Sequence, residues 1–120
     1  MKALFDTNIL IDYLNGIDEA RLELALYQDK AISVVTWMEI QVGAAPEEQL
    51  ALDQFLRRFT VLPLDAPISV KAVSLRKTSK IKLPDAIIWA TASVHHRLLV
   101  TRNTKNFSTS HPGVRVPYVI

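Results

Sequence analysis

Three acids and an asparagine stand where this chain could do chemistry. Asp6 ends the apolar run Lys2-Ala3-Leu4-Phe5, Glu39 comes soon after the β-branched run Ala31 to Val35, Asp85 follows Leu83-Pro84, and Asn103 follows Leu98 to Thr101. Carboxylates gathered in one cleft repel one another, so such a set persists only with a cation between them or a proton on one of them. No histidine or cysteine joins the set, so the donors are all oxygen and suit Mg2+ or Mn2+ better than Zn2+. A hard divalent ion can bind a phosphate oxygen, activate a water and stabilise a leaving oxygen, which is what phosphodiester hydrolysis requires. A phosphatase using Asp6 as a covalent nucleophile fits less well, because such sites usually want a second acid two residues on, where Asn8 stands.

Each acid also has an ordinary explanation in helix chemistry. Asp6 precedes apolar residues at helical spacing, Ile9, Leu10, Tyr13 and Leu14, and so reads as an N-cap. Thr36-Trp37-Met38-Glu39 matches a capping box, with Glu39 reaching back to the cap. Pro84 suits a first helical position, and Asp85 the first turn, where the helix dipole favours a negative charge. These explanations serve the acids one at a time but leave their common location unexplained.

That location follows from the order of elements. After a first strand and helix, Asn15-Gly16 is a stop, and Asp18 caps a second helix running to about Asp29. This helix is apolar on two sides: Ala20, Leu24 and Tyr27 share one face, while Leu22, Ala25 and Leu26 lie nearly opposite and require either deep burial or a partner. Ala31 to Val35 reads as the second strand, and Pro46-Glu47-Glu48 opens a helix with the stripe Leu52, Phe55, Leu56 and Phe59. Thr60 to Leu64 reads as a strand. Pro67 starts a helix through Val70, Val73 and Leu75 that ends in Arg76, Lys77, Lys80 and Lys82. A long apolar helix from Leu83, a strand from Leu98 to Thr101, a loop to Phe107 and a final strand from Val114 to Ile120 complete the chain. His95 and His96, without an acid or histidine at ligand spacing, read as the polar end of that long helix.

Strands alternating with helices predict an α/β fold of three layers, with a mostly parallel central sheet and right-handed crossovers. In that architecture the carboxyl edge of the sheet is where ligands bind, and Asp6, Glu39, Asp85 and Asn103 all point to it. The 120 residues suit one domain spanning 1–120. A hydrophobic content of 49% marks a folded chain, and the absence of cysteine excludes a disulfide framework and a thiolate metal site. Asp6 and Asp12 interrupt the N-terminal apolar run, no stretch reaches the length of a membrane span, and a cytoplasmic location is the default. A net charge of +2 permits nucleic-acid binding, with Arg76, Lys77, Lys80, Lys82, Arg102 and Lys105 placed to carry a polyanion backbone.

Four segments in order carry a family resemblance: Phe5-Asp6-Thr7-Asn8-Ile9-Leu10-Ile11, Glu39 in Trp37-Met38-Glu39-Ile40, Leu83-Pro84-Asp85-Ala86-Ile87-Ile88, and Leu99-Val100-Thr101-Arg102-Asn103 with Lys105-Asn106-Phe107. Together they resemble a PIN-domain ribonuclease, and within that group the VapC-type toxins of toxin-antitoxin pairs. The resemblance implies a Mg2+- or Mn2+-dependent endoribonuclease, an RNA substrate, a VapB-type antitoxin partner, and a homodimer or toxin-antitoxin hetero-oligomer. It implies that Asp6, Glu39 and Asp85 bind metal, that Thr7 and Asn8 support Asp6 through hydroxyl and amide hydrogen bonds, and that Thr101 orients the last loop. The family supplies a fourth acid in that loop, where Asn103 or Asn106 stands here. An amide oxygen can ligate a cation or hold a water but brings no negative charge. The departure keeps open a nuclease-dead or weakened binding module of the same fold.

Overall fold

The computed structural model describes residues 1–105, 107 and 111–120. In chain order the elements are β1 (Lys2–Phe5), α1 (Thr7–Leu14), α2 (Asp18–Ala25), β2 (Asp29–Ser33), α3 (Val34–Val42), α4 (Gln49–Leu56), β3 (Thr60–Leu62), α5 (Ala66–Ser79), α6 (Leu83–Val94), β4 (Leu98–Val100) and β5 (Val114–Arg115). A single 3-10 turn, Pro46–Glu48, leads into α4. The strands form one parallel sheet in the order β3-β2-β1-β4-β5. The chain works outward from β1 on one side, then crosses back to build the other side, so the order reverses at β1.

Alternation along β1 divides the core into two layers. Ala3 and Phe5 pack with Ile9 and Leu10 of α1, Leu24 of α2, and Leu52, Phe55 and Leu56 of α4. Leu4 faces the other way, with Leu99, Ile68 and Ala72 of α5, and Ala86, Ile88 and Ala90 of α6. The result is the three-layer α/β/α arrangement the sequence predicts. Among the described residues no helix is long and apolar enough to cross a membrane.

Several boundaries differ from the sequence reading. The second helix stops at Ala25, Asp18 is its first residue with Ile17 as the cap, and β2 begins at Asp29. Asp29 pairs with Lys2 across the sheet and receives the Arg97 guanidinium at 2.9 Å. Val34 and Val35, β-branched and strand-like, instead open α3, because the Ser33 hydroxyl accepts the Val35 N–H at 3.1 Å and caps the helix there. In α5 the packed side carries Ile68 and Ala72, while Val70 and Val73 face outward. The strands from Thr60, Leu98 and Val114 are shorter than predicted, ending at Leu62, Val100 and Arg115.

The two sides of α2 resolve into one buried and one open face, with Leu24 only 6% exposed against 53% for Leu22. Leu24→Asp should therefore destabilise the protein by about 3 kcal/mol or more, since it buries an unpaired carboxylate in place of a packed side chain. Leu22→Asp should stay within about 0.5 kcal/mol of the parent. Urea unfolding of both variants checks this, and equal severe losses would mean that both faces are buried.

Candidate active site

Asp6 stands one residue past the end of β1 and is 3% exposed. It caps α1, its Oδ1 accepting the Thr7 N–H at 2.8 Å. Its Oδ2 accepts two side-chain donors, the Thr101 hydroxyl at 2.7 Å and the Asn8 amide at 3.2 Å. Capping and site geometry thus use different oxygens of one carboxylate and do not compete. Every one of these donors is neutral.

Glu39 lies in α3, well inside the helix, and its side chain is exposed. The capping box read at Thr36 is absent: Ser33 is the cap, and Thr36 is a fully buried residue of the helix interior. Glu39 Oε1 lies 2.6 Å from Thr7 Oγ1, which in turn lies 2.9 Å from Thr36 Oγ1. A hydroxyl has one proton, so with Glu39 ionised Thr7 donates to the carboxylate and accepts from Thr36. The Thr7 hydroxyl therefore serves Glu39, and only its backbone N–H serves Asp6, contrary to the support expected from the resemblance.

Asp85 is in the first turn of α6, half-buried, and its charge, like that of Glu39, bears on Asp6. The three acids come from three separate elements to one region of the carboxyl edge. Among the described residues, no three His, Cys, Asp or Glu side chains converge closely enough to enclose an ion as they stand. The oxygen-only donors and the buried Asp6 with neutral hydrogen bonds are chemically suited to a hard divalent ion.

Asn103 follows Thr101 in the loop after β4. Its N–H donates to Thr101 Oγ1 at 3.0 Å, and its side-chain oxygen accepts the Lys105 N–H at 3.1 Å, closing an Asx turn. Asn106, the other position considered for the missing acid, lies outside the described residues. The basic set is reduced as well. Arg102 forms a bidentate pair with Asp12, and Arg76 donates to the Ile81 carbonyl at 2.8 Å, whereas Lys77, Lys80, Lys82 and Lys105 are exposed.

Two features escaped the sequence reading. Thr36 looked like a cap and is the buried end of a hydroxyl chain to Glu39. Asp12 falls three residues after Ile9, on the stripe of α1 that faces the core, and is 5% exposed. An acid on an apolar stripe is a recognisable sign of a buried cation partner, although the sequence does not say which one.

The PIN domain model matches residues 3–109. Among solved structures, the chain is similar to one in a toxin-antitoxin complex from Klebsiella pneumoniae, with 46% identity, 99% of this chain and 100% of that one covered, and a TM-score of 0.93. It is also similar to a chain of VapBC2 from Rickettsia felis bound to a DNA fragment from their promoter, at 27% identity, with 95% and 96% covered and a TM-score of 0.80. A chain of DNA-bound VapBC from Salmonella typhimurium is 27% identical, with 96% of both chains covered and a TM-score of 0.79. No curated protein matches the sequence.

Burial holds the Asp6 carboxyl well above the usual carboxylate range, at about 6; the Thr101 and Thr7 hydrogen bonds lower it, and the charges of Asp85 and Glu39 raise it further. The fold binds this proton more tightly than the unfolded chain does. Its contribution to stability is complete below about pH 4, the unfolded value, and is lost as pH rises through about 6. The loss amounts to about 3 kcal/mol for a shift of about two units. In chelator-treated protein, urea unfolding between pH 4 and 8 should show wild type losing this stability relative to Asp6→Asn. A pH-independent difference between the two proteins would refute the assignment.

Proposed function

The chain belongs to the PIN domain family, and from that premise we propose that it is a VapC-type toxin: a Mg2+- or Mn2+-dependent endoribonuclease restrained by an antitoxin. The observation that carries this reading is the Asp6 carboxylate, buried at the point where the strand order reverses, served among the described residues by neutral donors alone and approached by the charges of Glu39 and Asp85. Asp6, Glu39 and Asp85 are the residues that would hold the ion. When bound, a divalent cation polarises the scissile phosphate and makes a water nucleophilic near neutral pH.

The chain's own residues supply orientation. Thr101 and Asn8 fix Asp6, while Thr7 and Thr36 fix Glu39. Exposed Lys77, Lys80 and Lys82 cluster where α5 gives way to α6, the helix that carries Asp85, and are available to RNA phosphates. Arg102 is not, since its guanidinium is committed to Asp12.

A groove of about 620 Å³ runs beside Glu39, with Ile11 and Leu14 of α1, Ile40 of α3 and Leu52 of α4 in its lining, and Glu47 and Glu48 also along it. An amphipathic antitoxin helix carrying basic residues suits these walls, and an arginine at the Glu39 end would meet the acids through charge-assisted hydrogen bonds. The toxin-antitoxin relatives support a partner of this kind. Of the surface the sequence suggests for a partner, the outer side of α2 together with the first helix and residues near Trp37, this groove takes in α1 and the stretch just after Trp37 but no residue of α2.

Single-turnover cleavage of a model RNA in Mn2+ tests the reading. Asp6→Asn and Asp85→Asn should each lower the rate at least about 100-fold, about 2.7 kcal/mol of transition-state stabilisation. Glu39→Gln should also lose activity while its unfolding midpoint stays with the wild type, because α3 is capped by Ser33. Wild-type protein without Mn2+-dependent cleavage would overturn the nuclease and leave the weakened binding module. That second reading is favoured by the engagement of the Asn103 oxygen in its own turn.

Asn103→Asp separates the two. An aspartate can accept the Lys105 N–H as the asparagine does, so the turn is kept and a charge is added. If the missing acid limits the site, the Mn2+ midpoint should fall and the rate should rise. An unchanged midpoint and rate would show that one ion suffices or that position 103 faces away from it.

A further inference from the structure

Asp12 is a buried acid with no part in the proposed ion site, yet it joins three distant stretches of chain. Arg102 donates Nε to Asp12 Oδ2 at 2.7 Å and Nη2 to Oδ1 at 3.0 Å, and the Tyr118 hydroxyl donates to Oδ2 at 2.8 Å. The carboxylate thus accepts from a planar bidentate partner and a third donor, a geometry that fixes direction as well as distance. Three residues before Tyr118, a second buried acid is gripped in the same way: Arg115 of β5 is bidentate to Glu23 of α2 at 2.7 and 2.9 Å, and Tyr27 adds a donor at 2.9 Å. Both pairs tie the C-terminal stretch to the helices α1 and α2.

The first pair is continuous with the acidic site. The Arg102 N–H donates to Asn8 Oδ1 at 3.2 Å, and the same Asn8 amide donates through Nδ2 to Asp6 Oδ2. One residue earlier, the Thr101 hydroxyl donates to Asp6 and accepts from the Asn103 N–H. Two of the three donors that orient Asp6, the Asn8 amide and the Thr101 hydroxyl, are therefore hydrogen-bonded in turn to backbone N–H groups of the loop after β4. Asn8 itself belongs to α1, and its amide bridges the Arg102 N–H to the Asp6 carboxylate, while Thr101 is also held by its N–H to the Arg115 carbonyl at 3.0 Å.

We infer that Asp12, gripped by Arg102 and Tyr118, is a positioning residue of the acidic site: it anchors residues 101–103, and through Asn8 and Thr101 it sets the orientation of the Asp6 carboxylate. The inference rests on the metal-dependent nuclease reading for its consequence, and on the geometry alone for its mechanism. Arg102 acts here as a structural fork and not as a phosphate contact. Lysine cannot reproduce the fork, so a substitution that keeps the charge still breaks the device.

The test uses the full chain as Asp12→Asn, Arg102→Lys and Tyr118→Phe, with Mn2+ alone as the probe. Asp12→Asn and Arg102→Lys should each weaken Mn2+ binding by about 10- to 100-fold, the usual consequence of losing a group that orients a ligand. The double variant should be no worse than either single one, and Tyr118→Phe should lie between them and wild type. Amide hydrogen exchange, measured without metal, should quicken at residues 101–103 and leave the β1 amides unchanged. If Arg102 instead meets phosphate, Arg102→Lys will keep the Mn2+ midpoint and Asp12→Asn will tighten RNA binding, which overturns the proposal. A lowered melting temperature with unaltered Mn2+ midpoint and loop exchange also overturns it, since the pair would then be structural only. Should Asp12→Asn fail to fold, Tyr118→Phe gives the same readouts from a milder change. Wild-type protein that binds no Mn2+ would end the nuclease reading, while exchange at 101–103 would still decide whether Asp12 holds the loop.

Discussion

The constraint on which this molecule turns is a carboxylate buried at the end of the central strand. Asp6 is nearly inaccessible to water and accepts hydrogen bonds from Thr7, Asn8 and Thr101, all neutral groups. Hydrogen bonds of this kind orient a carboxylate and offset part of its desolvation, but they do not balance its charge. The surrounding elements can be understood as what is needed to hold an acid in that condition. β1 delivers it at the reversal point of the strand order, α1 begins on it, and Thr101, just past β4, donates its hydroxyl to it.

Strand order explains why this acid and no other has the central position. β2 and β4 flank β1 on opposite sides, and the helices that precede them, α1 and α2 against α5 and α6, pack in opposite layers, which opens a crevice at the carboxyl end of β1. α3 and α6 then bring Glu39 and Asp85 to that crevice from elements with unrelated local chemistry. Among the described helices, α3 is the one with buried side chains in both core layers, Val35 in one and Ile40 in the other. Glu39 precedes Ile40 and is turned outward, toward the Thr7 hydroxyl.

The architecture and the place of Asp6 and Asp85 were legible in the sequence because they depend on local rules: hydrophobic period, cap chemistry and proline at a helix start. The error at Glu39 came from the same rules. Thr36-x-x-Glu39 is a sound capping pattern, but Ser33 offers a cap three residues earlier and the backbone takes it, converting a valine pair with strand preference into the first turn of a helix. Burial then decides the rest, because Val35 and Thr36 both enter the core. The Asp12, Arg102 and Tyr118 assembly could not be read at all. Its members are 90 and 106 residues from Asp12, and no local rule couples them.

That assembly also bears on what the lack of a partner at Asp6 means. Where this fold buries an acid for structural ends, it supplies an arginine: Arg102 for Asp12 and Arg115 for Glu23, each bidentate and each backed by a tyrosine. Such pairs repay the cost of desolvation only when their geometry is complete, and here it is. Asp6 is as deeply buried as either, yet among the described residues no lysine, arginine or histidine pairs with it. The backbone N–H of Arg102 is joined to Asp6 through the Asn8 amide. Its guanidinium turns instead to Asp12. The device that orients Asp6 thus also commits the Arg102 guanidinium to Asp12, so the charge of Asp6 stays available to a cation from outside the chain.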